Sequence, residues 1–493
     1  MPDEWTLTTA GRIERPLGDS EFAFFPASKD GLGDMFLHLA FRAPKAQLRA
    51  RRVAIAWALL RCRHPLLTCQ VIEEGEVPRF SFRPPESVQA ALEEAKAALY
   101  FRHESKEELI SGYLNGPRTL SNTQLSCLII SSPILRPYDM DDCSSKEHNY
   151  DLLMCAPHFT GDGTSLHQCT HDLLELFASS MSDEDMLASI DLSEPWASTR
   201  LKLPPAFESR CTVPRGKFAR GVAKVNFLMT KEREIGNHRL TRLQCAPQKT
   251  VFLERVFNET HTKAILKRCK ENGVTINHAI EALSGVAWAR VVNASNKHNV
   301  YSMIYTAINV RPHLAPSPDP TYWFLALTYF NLVFPSFPPS SHRAFWLRAK
   351  SAKTQTHAVV HSPLLVHRTL EMASERAARA RKEPQPVVDV PKLLNTTTGN
   401  LLPGPAPSAA LLGLSLIGNL DTTYDRRAYP AFSLKDVTTA SRQKAGGILL
   451  LVHTFGGRLW LQLFYDTEGF GSDGEIEQFW HELGNGVEEF LIA

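Results

Sequence analysis

Strand-like and helix-like hydrophobic patterns alternate along this chain, in two runs separated by a proline-containing stretch. Such alternation suggests a mixed α/β architecture, because the apolar face of each element has to be buried against another. In the first run, residues 46–62 set Leu48, Ile55, Leu59 and Leu60 on related faces of a predicted helix. That helix stops before Pro65, since the residue preceding a proline is pushed out of the helical region. Residues 66–74 read as a strand and 76–83 as its hairpin partner after Gly75. The run 151–156 (DLLMCA), bounded by Pro157, fits a buried strand. Gly161, Asp162 and Gly163 signal a turn. Thr164 or Ser165 is expected to cap a helix to about residue 179, with Leu166, Cys169, Leu173, Leu174 and Phe177 as its apolar face.

Residues 186–249 read as a crossover linker, acidic at first and then proline-containing and basic. The second run begins near Thr250. Strands are expected at 251–259, 301–310, 325–335, 411–420, 446–455 and 458–466. Helices are expected at 260–272, from Thr275 to about 292, and at 474–491, while 383–410 is rich in Pro, Gly, Ser and Thr and reads as a loop. The expected organisation is two α/β lobes, 1–185 and 250–493, joined by that crossover.

Length and charge narrow the function classes. A chain of 493 residues, 43% of them apolar, is long enough for two sizeable cores. The formal net charge of +2 gives no electrostatic case for nucleic acid or an anionic membrane as main partner. Nine cysteines, an odd number with no CxxC pair, read as reduced thiols rather than a disulfide framework. The N-terminus lacks the basic start and apolar stretch of a signal peptide, and no run of about 18 apolar residues occurs. The expectation is a cytoplasmic, monomeric protein, and Asn258-Glu-Thr is accordingly not expected to be glycosylated.

The segment that carries chemistry is Cys155-Ala-Pro-His158-Phe-Thr-Gly-Asp162-Gly163-Thr. It places a histidine at the end of a buried strand, in a tight turn, just before a helix. The strand end is a rigid mount, and neutral imidazole can take and return a proton near working pH. Read alone, HxxxD also fits a structural histidine satisfied at a turn.

HxxxDG in this setting resembles the superfamily that holds chloramphenicol acetyltransferase, the condensation domains of peptide synthetases, plant BAHD acyltransferases and fungal trichothecene O-acetyltransferases. Three further stretches match in order. Arg63-His64-Pro-Leu66-Leu67-Thr68 resembles the "RHxxLR" segment of condensation domains, and Val274 to Leu283 resembles the helix opening the second lobe. Asn309-Val310-Arg311-Pro312 with Phe330-Asn331 resembles the "RxxL…GN" strand pair. The resemblance implies a pseudo-dimer of two acetyltransferase-like lobes around a central tunnel. An acyl-CoA, acetyl-CoA by analogy, would enter as co-substrate and an alcohol as acceptor. It implies His158 as general base and Asp162 as the residue that holds the turn through a bidentate pair with Arg311 of the second lobe, beside Gly163. Ser415 and Asn419 are candidates for stabilising the oxyanion, with a strand edge and turn as their plainer reading.

The departures shape the expectation. Pro157 stands where condensation domains carry a further histidine, and the plant-type DFGWG motif is replaced by GNLDTTYD. The nearest pattern is the fungal trichothecene 15-O-acetyltransferase type, which implies O-acetyl transfer to a terpenoid-type secondary metabolite. The alternatives are an inactive protein or a cyclase or condensation-type activity on the same fold. No metal site is expected: His167 and His171 would share a helix face that excludes Cys169, and Asp139, Asp141 and Asp142 read as a solvated turn. Gly469-Phe-Gly471-Ser-Asp-Gly474 reads as a turn, not a dinucleotide site, because no second strand follows. The basic run 375–382 reads as a solvated helix face, with CoA phosphates as its alternative use.

Overall fold

The computed structural model of the chain describes residues 5–75, 77–132, 147–190, 192, 203–213, 216–232, 249–294, 301–315, 321–382, 411–444, 447–467 and 474–492. These residues form fifteen strands: β1 (Thr6–Leu7), β2 (Ile13–Pro16), β3 (Asp34–Pro44), β4 (Gln70–Ile72), β5 (Arg79–Phe82), β6 (Leu99–Arg102), β7 (Cys127–Ser131), β8 (Glu147–Pro157), β9 (Thr250–Phe257), β10 (Ser302–Asn309), β11 (Leu327–Phe334), β12 (Gly413–Asn419), β13 (Ser433–Ser441), β14 (Ile448–Phe455) and β15 (Arg458–Asp466). They build a five-stranded sheet in the order β13-β3-β8-β7-β6, a six-stranded sheet in the order β11-β10-β12-β14-β15-β9, and a small sheet β1-β2-β5-β4. The mixed α/β expectation holds.

The run 151–156 is apolar without alternation because β8 is buried on both faces. Leu152, Met154 and Ala156 enter a cluster with the helices Ala50–Arg63 and Gly163–Ala178. Leu153 and Cys155 point the other way, into a cluster that also takes Leu451 and Phe464 of the six-stranded sheet. A strand covered on both sides has no solvent face to mark with polar residues. The six-stranded sheet is covered on its far side by the helices Ile276–Ala294, His342–Val360 and Glu475–Gly486, through Leu283, Phe345 and Leu483 among others. The two large sheets thus meet through one shared apolar layer, with helices outside each.

The break in the chain does not coincide with the break between sheets. Strand β13, from within 250–493, pairs antiparallel with β3, setting Thr438 opposite His38. The second half of the chain therefore completes the sheet of the first. Within 186–249 the described residues include the helix Lys217–Glu232 and a 3₁₀ turn Phe207–Arg210, whose Phe207 is buried in the first cluster. The residues 383–410 and 139–142, and most of 469–474, lie outside the described residues.

Among the described residues, seven cysteines are unbridged. No described helix is long and apolar enough to cross a membrane.

Candidate active site at the junction of the lobes

His158 directly follows β8, where Thr160 turns back through its amide and hydroxyl, both donating to the Pro157 carbonyl at 3.0 and 2.9 Å. The Nδ1 atom of His158 lies 3.1 Å from the carbonyl oxygen of Gly161. A carbonyl only accepts, so Nδ1 carries the proton and the lone pair of the neutral ring sits on Nε2. Burial holds the imidazole below the usual histidine range, with the nearby Arg376 cation adding in the same direction. The ring is therefore neutral at pH 7, with an unprotonated nitrogen to offer.

Asp162 is fully buried and is the N-cap of the helix Gly163–Ala178, its Oδ1 accepting from the Ser165 amide at 3.2 Å. The cap is thus Asp162, not Thr164 or Ser165; a carboxylate satisfies an orphan amide and complements the helix dipole. Its Oδ2 accepts from Arg311 Nη1 at 2.8 Å and from the Ala326 amide at 3.0 Å. Arg311 does not grip the carboxylate with both prongs. Its Nη2 donates instead to Ser165 Oγ at 3.0 Å and to the Phe324 carbonyl at 2.5 Å. The pair is single-pronged because the other oxygen of Asp162 is held by the cap. Beside it, the His64 Nδ1 meets Thr321 Oγ1 at 2.8 Å, and the Tyr322 hydroxyl donates to Asp172 at 2.5 Å. Arg311 and residues 321–326 of the second lobe are thus clamped onto the turn that mounts His158.

The two glycines of the turn differ. A Cβ on Gly161 would lie 3.2 Å from Trp323 Cε2, whereas one on Gly163 would meet nothing within 4 Å. Close approach demands glycine at 161; at 163 sterics do not.

Sequence patterns miss a ladder of rings across the junction. Phe24 stacks on His158 with centroids 4.5 Å apart and planes 10° apart. The Arg376 guanidinium sits 4.6 Å from the Phe24 centroid and 4.5 Å from that of Tyr329, which stacks on Tyr305 at 4.5 Å. The basic run 375–382 therefore splits. Arg376 turns inward, while Arg379 and Arg381 are 65% and 48% exposed and pair with Glu375 and Asp19. Helical spacing could have suggested that one arginine faces inward; nothing in the sequence indicates that Phe24 meets His158.

Ser415 and Asn419 are separated by the structure. On β12, Leu414 and Leu416 pack into the helix-covered core, which leaves Ser415 on the opposite face with its neighbour Leu451, toward the first lobe. Among the described residues the Ser415 hydroxyl has no hydrogen-bond partner. Asn419 is exposed and caps a turn, its Oδ1 accepting from the Asp421 amide at 3.1 Å and from Thr454 Oγ1 at 3.2 Å.

His167 is engaged on both nitrogens, by the Tyr424 hydroxyl at 3.0 Å and Thr439 Oγ1 at 3.1 Å, so it is not poised as a ligand. His171, Asp172 and Glu175 instead bring ligand atoms within 4.8 Å of one another. Asp172 is already held by Tyr322 and Gln168, and His171 by Tyr429.

Comparison with protein families and with curated proteins finds no family model and no curated sequence that matches. Solved structures do match over the whole chain. Trichothecene 15-O-acetyltransferase from Fusarium sporotrichioides aligns with TM-score 0.78 at 15% identity, covering 99% of this chain and 98% of that one. Polyketide synthase associated protein 5 from Mycobacterium tuberculosis aligns with TM-score 0.59 at 13% identity, covering 96% and 98%. The first condensation domain of the CDA synthetase aligns with TM-score 0.59 at 13% identity, covering 97% of each chain. At such identities the likeness speaks to architecture, and the chain has the chloramphenicol-acetyltransferase-like fold shared by acetyltransferases and condensation domains.

Proposed function

We propose that this chain is an acyl-CoA-dependent O-acyltransferase in which His158 is the general base. The observation that carries the reading is the Nδ1–H bond to Gly161, which fixes the tautomer and leaves Nε2 basic. An acceptor hydroxyl gives its proton to Nε2 as its oxygen attacks the thioester carbonyl. The tetrahedral intermediate collapses, and the departing thiolate takes that proton from the imidazolium. Both substrates are held at once, so no acyl-enzyme forms. Asp162 and Arg311 position the turn and do not touch the reacting atoms. Ser415, on the face turned toward the first lobe with its hydroxyl free, is the better of the two oxyanion candidates. Asn419 is given over to its turn. Acetyl-CoA as donor, and a terpenoid-type alcohol of secondary metabolism as acceptor, follow the likeness to the trichothecene enzyme.

The test is thiol release from acetyl-CoA across a panel of hydroxylated terpenoids, with His158→Ala as control. Release that requires both an alcohol and His158 supports the reading. Binding of acetyl-CoA without release on any alcohol turns it toward condensation or cyclisation chemistry, which condensation and epimerization domains on this fold make the second reading. No binding of acetyl-CoA at all removes it.

A further inference from the structure

A cavity of about 380 Å³ opens in the first lobe between the ends of the helices Ala50–Arg63 and Val88–Ala97, strands β4 and β5, and the turn at 123–125. It shares no lining residue with the crevice beside Phe24 and Arg376. Its walls hold three arginines, Arg12, Arg61 and Arg83, against one carboxylate, Glu94. Arg61 is the unusual member. Its side chain is 9% exposed, its guanidinium lies 5.8 Å from the centre of the Trp57 ring, and its Nη1 has no hydrogen-bond partner. Among the described residues it forms no ion pair. Glu94 attracts it through space without forming an ion pair, and taking a guanidinium out of water without a hydrogen-bonded anion is costly, so this cation has room for a closer anionic partner.

The surroundings select the kind of anion. Arg12 is partly buried at the rim, Arg83 is exposed and shared with Glu86 at 2.8 Å, and the exposed Gln70 adds an amide with no side-chain hydrogen bond among the described residues. Several donors converging from different walls suit the tetrahedral oxygens of a phosphate. The volume leaves room for an organic body of metabolite size.

We propose that this cavity binds a small organic phosphate, with Arg61 at its floor holding the phosphoryl group and Arg12 closing over it from the rim. The site stands apart from His158, so it does not depend on the acyltransferase reading.

The experiment is calorimetric titration of the full-length chain with glycerol 3-phosphate, inorganic phosphate and citrate at matched ionic strength, alongside melting curves. Glycerol 3-phosphate is expected to bind and to raise the melting temperature, with Arg61→Met binding at least tenfold more weakly. In the absence of ligand, Arg61→Met is expected to melt at or above the wild-type temperature, because the methionine keeps the stem against Trp57 and removes an unpaired charge. A purely structural arginine would give the opposite shift. Arg12→Gln, at the rim, is expected to weaken binding several-fold, and it carries the test should Arg61→Met not fold. The proposal is overturned by absent binding to wild type, by unchanged affinity in either variant, by citrate binding as tightly, or by inorganic phosphate binding as tightly as the ester.

Discussion

Asp162→Asn isolates the junction between the lobes. Asparagine caps helices about as well as aspartate, so the substitution spares the cap and removes the charge. The amide cannot serve every partner. With its oxygen on the Ser165 amide, its NH₂ faces Arg311 Nη1 and the Ala326 amide, both donors now at 2.8 and 3.0 Å from an acceptor. Flipped, it loses the cap. Breaking a buried pair costs roughly 3–5 kcal/mol when a bare charge remains. Arg311 stays hydrogen-bonded to Ser165 and Phe324 and is 16% exposed, so the lower end applies. We expect a loss of about 3 kcal/mol, which, with an unfolding entropy of roughly 1 kcal/mol/K for a chain of this length, lowers the melting temperature by about 3 °C. Arg311→Met should cost a similar amount, and the double variant should cost little more than either single one, because it leaves no lone charge. Scanning calorimetry of the four proteins gives the coupling energy. A coupling below about 0.5 kcal/mol, or wild-type melting of Asp162→Asn, refutes the clamp.

His158→Ala should abolish transfer while leaving the melting temperature near wild type; near-normal turnover sinks the base assignment. Because the base works unprotonated and its pKa lies below the usual range, the acid limb of kcat/KM should fall below pH ~6.5, and Arg376→Met should move it upward. A limb at or above that pH contradicts the buried, neutral ring. Gly161→Ala should cost about 1–3 kcal/mol through its contact with Trp323 and disturb the carbonyl that holds His158, whereas Gly163→Ala should be tolerated; equal melting curves for the two would refute the distinction. Glu281 is buried with its carboxyl pushed up to about 8, so the folded chain retains a proton that the unfolded chain releases above about 4.5. Wild type therefore loses stability from pH ~4.5 to ~8, and the advantage of Glu281→Gln should grow across that window and then level off, as melting curves against pH would show. His64, His167 and His453 are buried with pKa values near 3, so stability should fall as pH drops from about 6.5 toward 3, and a melting temperature flat over that range would count against neutral rings.

The sequence by itself determined a good deal. Hydrophobic period placed β8 to β12, β14 and β15, the hairpin β4–β5 and the helices Ala50–Arg63, Gly163–Ala178, Glu259–Glu271, Ile276–Ala294 and Glu475–Gly486, because burial on a strand or helix imposes a local rhythm that one sequence can show; it did not place the helices Val88–Ala97, Lys106–Asn115 and His342–Val360. The strand–turn–helix setting of His158 is legible for the same reason, and the resemblance points to Arg311 as the partner of Asp162. Tertiary structure alone decided what joins distant parts. Strand β13 crosses into the first sheet, and its register with β3 is set by pairing about 400 positions away in the chain, a contact with no local signature. The same holds for Phe24 and Arg376 beside His158, which come from a short irregular segment and from a helix whose charges look alike in sequence. Ser415 and Asn419 lie four residues apart on one strand, yet one faces the junction and the other the solvent, because a bulge and a turn intervene. Local periodicity records which face of an element is buried; which other element covers that face depends on the packing of the whole chain.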